Sequence, residues 1–481
     1  MAKITPELEK FRKEICKIAE DAGLDFFETI FELVNFDTLN QIASYGGFPV
    51  RYPHWRFGMQ YEQLSKSYQY GLSKIYELVV NTDPCYAYLM EGNSVLDQKL
   101  VMAHVYGHCD FFKNNYWFSQ TNRKMMDVLA NHATRVRNYM DRHGVDEVED
   151  FIDLCLSIEN LIDPYVSYSN IDYNLPRDTK FTDADLKQKN DTSKGSELTL
   201  NLDPKEEIVI EDLKNPDRDV LKFLIENAPL QPWQQDVMAI IREESYYFTP
   251  QGMTKIMNEG WASYWHSKLM TEKILTDSEI ICFADRHSST MTMAPDGFNP
   301  YKIGIELFRD IEQRWDKGQH GQEWEDCDDL HAKENWNMDH KGNGREKIFE
   351  IRKTNNDVTF VDQFLTKEFC VKNKFFVYKF NKKTNAFEVD TSDFDAIKKK
   401  LVFQLTNSGQ PIIKVEHNNY EGRGELMLKH FHEGVDMQPD HLTATLKNVQ
   451  AIWKKPVHLV TVMDEKEIVY THDGEEVKQN S

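Results

Sequence analysis

The sequence predicts a mainly α-helical N-terminal region followed by a smaller α+β C-terminal domain. Two observations lead to this fold class. Apolar residues recur at helical spacing through most of residues 1–317, and from about Phe360 the pattern changes to the two-residue alternation of β-strands. A chain of 481 residues is also long enough for two or three domains that each bury a core. We therefore expect a helical domain at 1–317 and an α+β domain at 345–475.

Local signals position the helices of the first region. Thr5 caps a helix that has Pro6 at its first position and ends at Gly23, and Ser94 caps a helix that runs to about Asn114. Helical periodicity predicts further helices at residues 61–80, 122–143, 147–161, 220–226, 233–248 and 251–270. The apolar run at 280–284 is typical of a strand, and residues 299–304 are typical of a turn into a helix.

The C-terminal elements follow from strand-like runs that turn residues separate. Residues 375–380 and 386–389 predict one hairpin, 456–463 and 468–471 predict another, and 411–417 and 424–429 predict a strand pair. Residues 394–403 predict a helix. Two polar segments interrupt the chain, an acidic insertion at about 166–207 and a second insertion at 318–344. Residues 183–196 have almost no core-forming side chains, so burial cannot offset the entropy of ordering them.

Composition narrows the class of function. The formal net charge of −22 argues against nucleic-acid binding, which needs a concentrated basic surface. No apolar run is long enough to span a bilayer, and the N-terminus lacks a signal-peptide pattern. The seven cysteines include no CxxC pair, which favours reduced thiols over a disulfide framework. We therefore expect a cytoplasmic protein with no membrane span and no nucleic-acid partner.

Two motifs carry most of the predicted chemistry. His104 and His108 are four residues apart, so on a helix both imidazoles lie on one face and can reach a single ion. In the second motif, Glu259 and His266 are two helical turns apart and share a face as well. Two such helices brought together would present three or four nitrogen and oxygen ligands, namely His104, His108, Glu259 and His266. This set suits zinc or another divalent transition metal.

The layout resembles that of the gluzincin metallopeptidases, in which an HExxH helix supplies two histidines and a second helix supplies a glutamate within an NExxA string. The string NEGWA at 258–262 fits the second motif, but Val105 stands where the HExxH glutamate would act as general base. About 150 residues also separate the two motifs, more than in most such peptidases. Another carboxylate must then serve as base, and Glu243 and Glu244 are the nearest candidates in the sequence.

A structural interpretation of the same residues stays open. Histidines at this spacing also occur as hydrogen-bonded core residues, and Glu259 could be a buried carboxylate that ties helix ends together. The segment that contains Arg286 and His287 could line a cleft. The two hypotheses are therefore a metal-dependent enzyme, such as a hydrolase, and a non-catalytic assembly or regulatory protein whose C-terminal domain binds a protein partner.

Several unusual strings resemble the stage V sporulation protein R (SpoVR) family. They are PHWRFG at 53–58, GLSKIYELV at 71–79, HVYGHCDFFKNN at 104–115, MNEGWA at 257–262, NPYKIG at 299–304, REKIFE at 345–350 with Asn356 and Asp357, and GELMLKHFHEG at 424–434. The resemblance implies a cytoplasmic role in formation of the spore cortex, a peptidoglycan layer, or in a stress response in bacteria that make no spores. It implies no established activity and no established catalytic residues.

Overall fold

The computed structural model describes residues 2–69, 78–168, 216–292, 299–381, 384 and 386–480. Within them the chain is mainly helical, as the sequence predicts, and its C-terminal part contains a five-stranded sheet, which agrees with the predicted α+β class. Most of the predicted acidic insertion at 166–207, including 183–196, lies outside the described residues. The same holds for most of the string at 71–79.

The helices are numbered in chain order. They are α1 (Pro6–Asp21), α2 (Phe36–Ser44), α3 (Trp55–Gln69), α4 (Val95–Asn114), α5 (Met125–His143), α6 (Val145–Leu156), α7 (Val220–Asn227), α8 (Pro232–Met253), α9 (Lys255–Leu269), α10 (Ile280–Thr290), α11 (Pro300–Asp316), α12 (Gln322–Glu325), α13 (Leu330–Glu334), α14 (Asn343–Thr354), α15 (Asp357–Phe364), α16 (Lys367–Lys372), α17 (Phe394–Leu405) and α18 (Pro439–Trp453). Among the described residues, none of these helices combines the length and the apolar character needed to cross a membrane.

The strands form three sheets. They are β1 (Ala2–Lys3), β2 (Thr29–Val34), β3 (Leu78–Val80), β4 (Cys85–Met90), β5 (Val377–Asn381), β6 (Ala386–Thr391), β7 (Ile412–Tyr420), β8 (Glu425–Phe431), β9 (Val457–Met463), β10 (Lys466–His472) and β11 (Val477–Asn480). The first sheet has the order β1-β2-β4-β3, with β2 and β4 parallel. The C-terminal sheet has the order β11-β10-β9-β8-β7, with β8 and β9 parallel, and β5 pairs with β6.

The four-stranded sheet near the N-terminus was not predicted from the sequence. Its strand β4 is buried along almost its whole length, and Ala87 and Leu89 join the core that also contains Val101 and Val105 of α4. A strand buried on both faces has no polar–apolar alternation, so its periodicity does not distinguish it from a buried helix segment. Helix α4 therefore packs against this sheet through β4.

Two local predictions are corrected by the structure. The helix predicted at 61–80 begins earlier, at Trp55, and residues 78–80 form strand β3. The run at 280–284, predicted as a strand, is the start of helix α10. Only Phe283 of that helix is buried, so its apolar residues do not mark a buried strand but a helix with one contact face.

The described residues pack into two compact units. One comprises 1–160 and 231–411, and the other comprises 161–230 and 412–481. In the second unit, α7 and α18 meet through Phe223 and Trp453, whose ring centroids are 5.7 Å apart, and the Trp453 indole donates to the carbonyl of Gly424. The domains predicted from the sequence, 1–317 and 345–475, were meant as parts that fold independently. Compact packing does not test independent folding, so these boundaries stay a prediction.

Three helices of the first unit pack unusually closely. A Cβ placed on Gly107 of α4 would lie 2.7 Å from the Cα of Ala262 on α9. A Cβ on Gly260 of α9 would lie 2.4 Å from the Cα of Gly304 on α11. Such distances fall below any normal contact, so the glycines allow backbones to approach where a larger residue would separate them. The close approach brings the polar face of α4 against α9.

Candidate metal centre

Helix α4 carries two histidines into the core. The Ser94 side chain accepts a hydrogen bond from the backbone N–H of Asp97, which confirms Ser94 as the predicted N-cap. His104 is 3% exposed and His108 is 4% exposed, and their ring centroids are 4.6 Å apart. Two imidazoles on one face of a buried helix need polar partners, because an unsatisfied polar group in the core is costly.

Helix α9 supplies those partners, and its first turn is fixed by a carboxylate from another helix. Asp357 accepts hydrogen bonds from the backbone N–H groups of Ile256, at 2.8 Å, and Met257, at 2.9 Å. These are amide groups that a helix leaves unpaired at its N-terminus. Asp357 therefore holds the turn that immediately precedes Asn258 and Glu259.

Glu259 meets both histidines. Its Oε2 lies 3.7 Å from His104 Nε2 and 3.5 Å from His108 Nε2. One candidate ligand atom from each of the three residues lies within 4.8 Å of the other two. The Glu259 Oε2 atom is buried, and none of the described residues forms a hydrogen bond with it. The structure thus brings together three of the four predicted ligands in a cluster that could hold a metal ion.

The carboxylate of Glu259 is held in its charged form. Burial by itself raises the pKa of Glu259, but the close electrostatic interactions with His104 and His108 outweigh burial and hold the pKa well below its usual range. The side chain keeps 19% exposure, so solvent reaches part of it. The centre therefore presents one anionic oxygen and two imidazole nitrogens on a common side.

Asn258 orients His108. The Asn258 Oδ1 lies 2.9 Å from His108 Nδ1, a distance that a hydrogen bond from Nδ1–H to the amide oxygen explains. This bond leaves the Nε2 lone pair of His108 directed towards Glu259. Outer hydrogen bonds of this type set the tautomer of metal-binding histidines.

His266 lies on the other side of His104. Its Nδ1 is 2.7 Å from His104 Nδ1, which is the ring nitrogen that does not face Glu259. The second nitrogen of His266, Nε2, is 3.3 Å from Nδ1 of His287 on α10. His266 thus joins the cluster through an imidazole contact, and its predicted role as a ligand stays a prediction.

The remaining residues of the NEGWA string also have identifiable partners. Trp261 donates from its indole to Asp110 Oδ2 at 2.7 Å, and Arg352 donates to Asp110 Oδ1 at 3.2 Å. Burial raises the pKa of Asp110 to about 6, although the charge of Arg352 opposes that shift. This network locks α9 to α4 two residues beyond His108, so it keeps the two motifs in register.

Glu243 and Glu244 belong to a different group of side chains. Glu244 receives a 2.5 Å contact from Arg51 and a 3.1 Å contact from His132 Nδ1, while Glu243 lies 3.2 Å from His132 Nε2. The pKa of His132 is raised, because its hydrogen bonds to Glu243 and Glu244 outweigh the effect of burial, which lowers it. Both oxygens of Glu244 are therefore used by buried neighbours. The catalytic role of Glu243 and Glu244 stays a prediction.

Comparison with known proteins assigns the family. The family model described as "SpoVR like protein" matches residues 3–410 of this chain, which is most of its length. The chain belongs to the SpoVR family. The model of the SpoVR-like C-terminal domain matches residues 411–464, and it begins one residue before the second compact unit resumes at 412.

A curated relative extends the match. The chain is similar to "Uncharacterized protein YcgB" of Escherichia coli (strain K12), with 29% identity over 476 residues, 93% of this chain and 90% of that protein. No solved structure matches. Membership of the SpoVR family therefore comes from sequence, and the candidate centre comes from the geometry of this chain.

Sequence patterns missed three residues that support the centre. Asn258 lies next to Glu259 inside the recognised string, but only its contact with His108 reveals what it does. Asp357 is about 100 residues further along the chain. His287 lies on α10 beyond the run 280–284 that was predicted as a strand, and it was expected only in a polar segment that could line a cleft. Each acts through a long-range contact, which residue spacing does not encode.

Proposed function

We propose that this SpoVR protein binds one divalent transition metal ion, with zinc as the first candidate, through His104, His108 and Glu259, and that it uses the ion in a metal-dependent hydrolysis. The observation that carries the proposal is the buried Oε2 of Glu259, which faces two imidazole Nε2 atoms at 3.5 and 3.7 Å. A buried carboxylate oxygen in this position needs a cation or a proton donor.

The residues fit such an ion in type and spacing. Zinc prefers imidazole nitrogen and carboxylate oxygen at about 2.0–2.2 Å. In a tetrahedral site with bonds of that length, neighbouring ligand atoms are about 3.4 Å apart. The two distances from Glu259 are close to this value. The hydrogen bond from His108 to Asn258 adds the outer contact that zinc-bound histidines commonly make.

The number of protein ligands favours a catalytic over a structural ion. The cluster found among the described residues has three candidate ligands. Structural zinc sites are usually closed by four protein ligands, whereas catalytic sites keep one position for substrate or water. A bound ion would supply Lewis-acid polarisation of a substrate carbonyl or phosphoryl oxygen.

The proton acceptor must lie outside the usual HExxH position. Val105 occupies that position and is fully buried, so it supplies no base. A resemblance to gluzincins in ligand order therefore supports metal binding more than it supports peptide hydrolysis. The role that family membership suggests, in spore cortex formation or a stress response in the cytoplasm, would make cell-wall peptides and glycans the first substrates to screen.

Metal content tests the proposal directly. The wild-type protein, purified without an affinity tag, is compared by elemental mass spectrometry with the His104→Ala, His108→Ala double variant. A matched control is the His331→Ala, His340→Ala double variant, because both histidines are exposed and lie outside the cluster. We expect about one ion per chain in the wild type and the control, and a loss of that ion in the first variant with an unchanged circular dichroism spectrum. Equal metal content in all three proteins, or none in any, would refute the proposal.

A further inference from the structure

We infer that His266 and His287 are positioning residues that fix the ring orientation and tautomer of His104, and that neither is a ligand of the ion. The inference rests on the proposed function, since it concerns the same centre. The inference assigns His266 to the outer contacts of the site. It also adds His287, which the sequence placed only in a segment that could line a cleft.

The rings of His104, His266 and His287 form a row of three imidazoles. The contact between His104 and His266 indicates which nitrogen of His104 carries hydrogen. His104 Nε2 faces Glu259, so it must carry the lone pair if His104 is a ligand. The proton then resides on Nδ1, and the 2.7 Å contact with His266 Nδ1 is a hydrogen bond that His104 donates. His266 accepts that bond at Nδ1, which therefore carries no hydrogen.

The contact between His266 and His287 fits a hydrogen bond that His266 donates, in the same sense as the bond that His104 donates to His266. A neutral His266 that accepts at Nδ1 has its hydrogen on Nε2, and this atom lies 3.3 Å from His287 Nδ1. His287 accepts there and carries its own hydrogen on Nε2. Three imidazoles are thus connected by two hydrogen bonds of the same sense, and a single assignment of tautomers satisfies both contacts and leaves the His104 lone pair directed at Glu259.

Contacts of helix α10 fix the position of the His287 ring. The ring of Phe283 stacks on that of His287 with centroids 5.7 Å apart and an interplanar angle of 18°. Glu279, which precedes α10, accepts a hydrogen bond from Lys99 of α4 at 2.9 Å, and Arg286 lies 2.5 Å from Asp97. Because these contacts join α10 to the helix that carries His104, they set the distance that the imidazole chain spans.

Paired substitutions separate a positioning role from a ligand role. His266→Leu and His287→Leu remove the hydrogen bonds, whereas His266→Asn and His287→Asn keep an acceptor oxygen near the Nδ1 position. His340→Leu is the control, because it makes the same replacement at an exposed histidine outside the cluster. The zinc affinity of each full-length protein is measured by competition with a chromogenic chelator, the stoichiometry by titration to saturation, and the ligand environment by the visible spectrum of the cobalt(II) form.

We expect each leucine variant to bind zinc about 10- to 100-fold more weakly than the wild type, with one ion still bound at saturation. The asparagine variants should recover most of that loss, and His340→Leu should keep the wild-type affinity and cobalt spectrum. Unchanged affinity in both leucine variants would overturn the inference alone. Loss of the ion at saturation in folded His266→Leu would overturn it by making His266 a ligand. A wild-type protein that binds no zinc would refute the proposed function, and the inference with it.

Discussion

Each of the five consecutive residues 258–262 makes a contact that helps to build the centre. Asn258 orients His108, Glu259 faces both histidines, and Trp261 is bonded to Asp110. Gly260 and Ala262 allow close approach of the neighbouring helices. Successive side chains on a helix point about 100° apart, so these five neighbours contact different helices. Their different contacts account for the residue types in the string.

The two adjacent glutamates predicted as bases should behave differently from each other. The side chain of Glu244 is 6% exposed and pairs with Arg51, which is 8% exposed, whereas the side chain of Glu243 is 50% exposed. We expect Glu244→Gln to lower the free energy of unfolding by about 3 kcal/mol, because it leaves a buried guanidinium without its counter-charge. Glu243→Gln should cost less than about 1 kcal/mol.

Urea denaturation of the two variants checks this difference, and metal analysis shows whether the ion is retained in both. Equal and small losses of stability, together with loss of turnover on an identified substrate, would instead assign these glutamates to catalysis.

The sequence indicated the candidate ligands of the centre better than it indicated the residues that position them. The spacing of His104 and His108 and the position of Glu259 follow from helix geometry, and the structure brings these three together. The contact between His104 and His266 depends on which face of α9 meets α4. That face is set by Gly107 and Ala262, whose importance is visible only once the helices are packed.

At the scale of elements, the centre depends on the distance between α4, α9 and α11. Gly260 and Gly304 let α9 and α11 approach until a Cβ on Gly304 would lie 2.2 Å from the carbonyl oxygen of Ile256. An added methyl group must push α11 away from the helix that carries Glu259. Cores resist such overpacking because they are already close-packed.

We therefore expect Gly304→Ala to destabilise the protein by about 1–3 kcal/mol and to weaken zinc binding. Gly58→Ala is the matched control, since Gly58 lies in α3 and a Cβ there meets no atom within 4 Å. That control should be neutral or stabilising by up to about 1 kcal/mol. Thermal unfolding and chelator competition measure both effects. Equal stability of the two variants would contradict the close-packing account.

The buried cap of α9 makes a pH-dependent contribution to stability. Burial raises the pKa of Asp357 to about 7, although the backbone N–H groups of Ile256 and Met257 oppose the shift. Between the ordinary carboxyl pKa of 3.8 and about 7, the folded state keeps a proton that the unfolded state has released. The contribution is thus complete below the unfolded pKa and is lost as the pH rises through the folded pKa.

We expect the metal-free wild type to lose up to about 1.4 kcal/mol of unfolding free energy per pH unit in this window through Asp357. Asp357→Asn should remove that part of the slope, and it should also cost about 1 kcal/mol through the weakened cap. Urea denaturation at pH 4.5, 5.5 and 6.5 compares the two slopes. Parallel slopes would show that Asp357 does not retain its proton.

Element prediction from the sequence succeeded where caps and periodicity act locally. The bounds of α4 and α5 and the pairing of β9 with β10 agree closely with the predicted ones. The sheet of β1 to β4 was missed because β2 and β4 pair in parallel across an intervening helical crossover. A parallel pair has no local turn signal, and its short apolar strands resemble buried helix segments.

At the scale of the whole molecule, the candidate centre lies in the first compact unit alone. His104, His108, Glu259, His266 and His287 all lie within 1–160 or 231–411. The C-terminal sheet and its helices α7 and α18 belong to the second unit, and the family models divide the chain at nearly the same place, between 410 and 411. Metal binding and the folding of the C-terminal sheet should then be separable properties.

A core substitution in the second unit tests this separation. Leu446 of α18 is fully buried. We expect Leu446→Ala to destabilise that unit by about 2–5 kcal/mol, because it removes apolar contacts and leaves a cavity. The zinc affinity should stay within about twofold of the wild type. Chemical denaturation and chelator competition on the same preparation measure both quantities. A parallel loss of affinity would show that the centre depends on the second unit.

Anomalous X-ray scattering at the zinc absorption edge, from crystals of the wild-type protein grown with zinc, would locate a bound ion and its ligands. We expect one strong peak about 2.0–2.2 Å from His104 Nε2, His108 Nε2 and a carboxylate oxygen of Glu259, with no fourth protein ligand. A crystal without a peak between these three residues, or with a peak that His266 completes as a fourth ligand, would contradict this expectation.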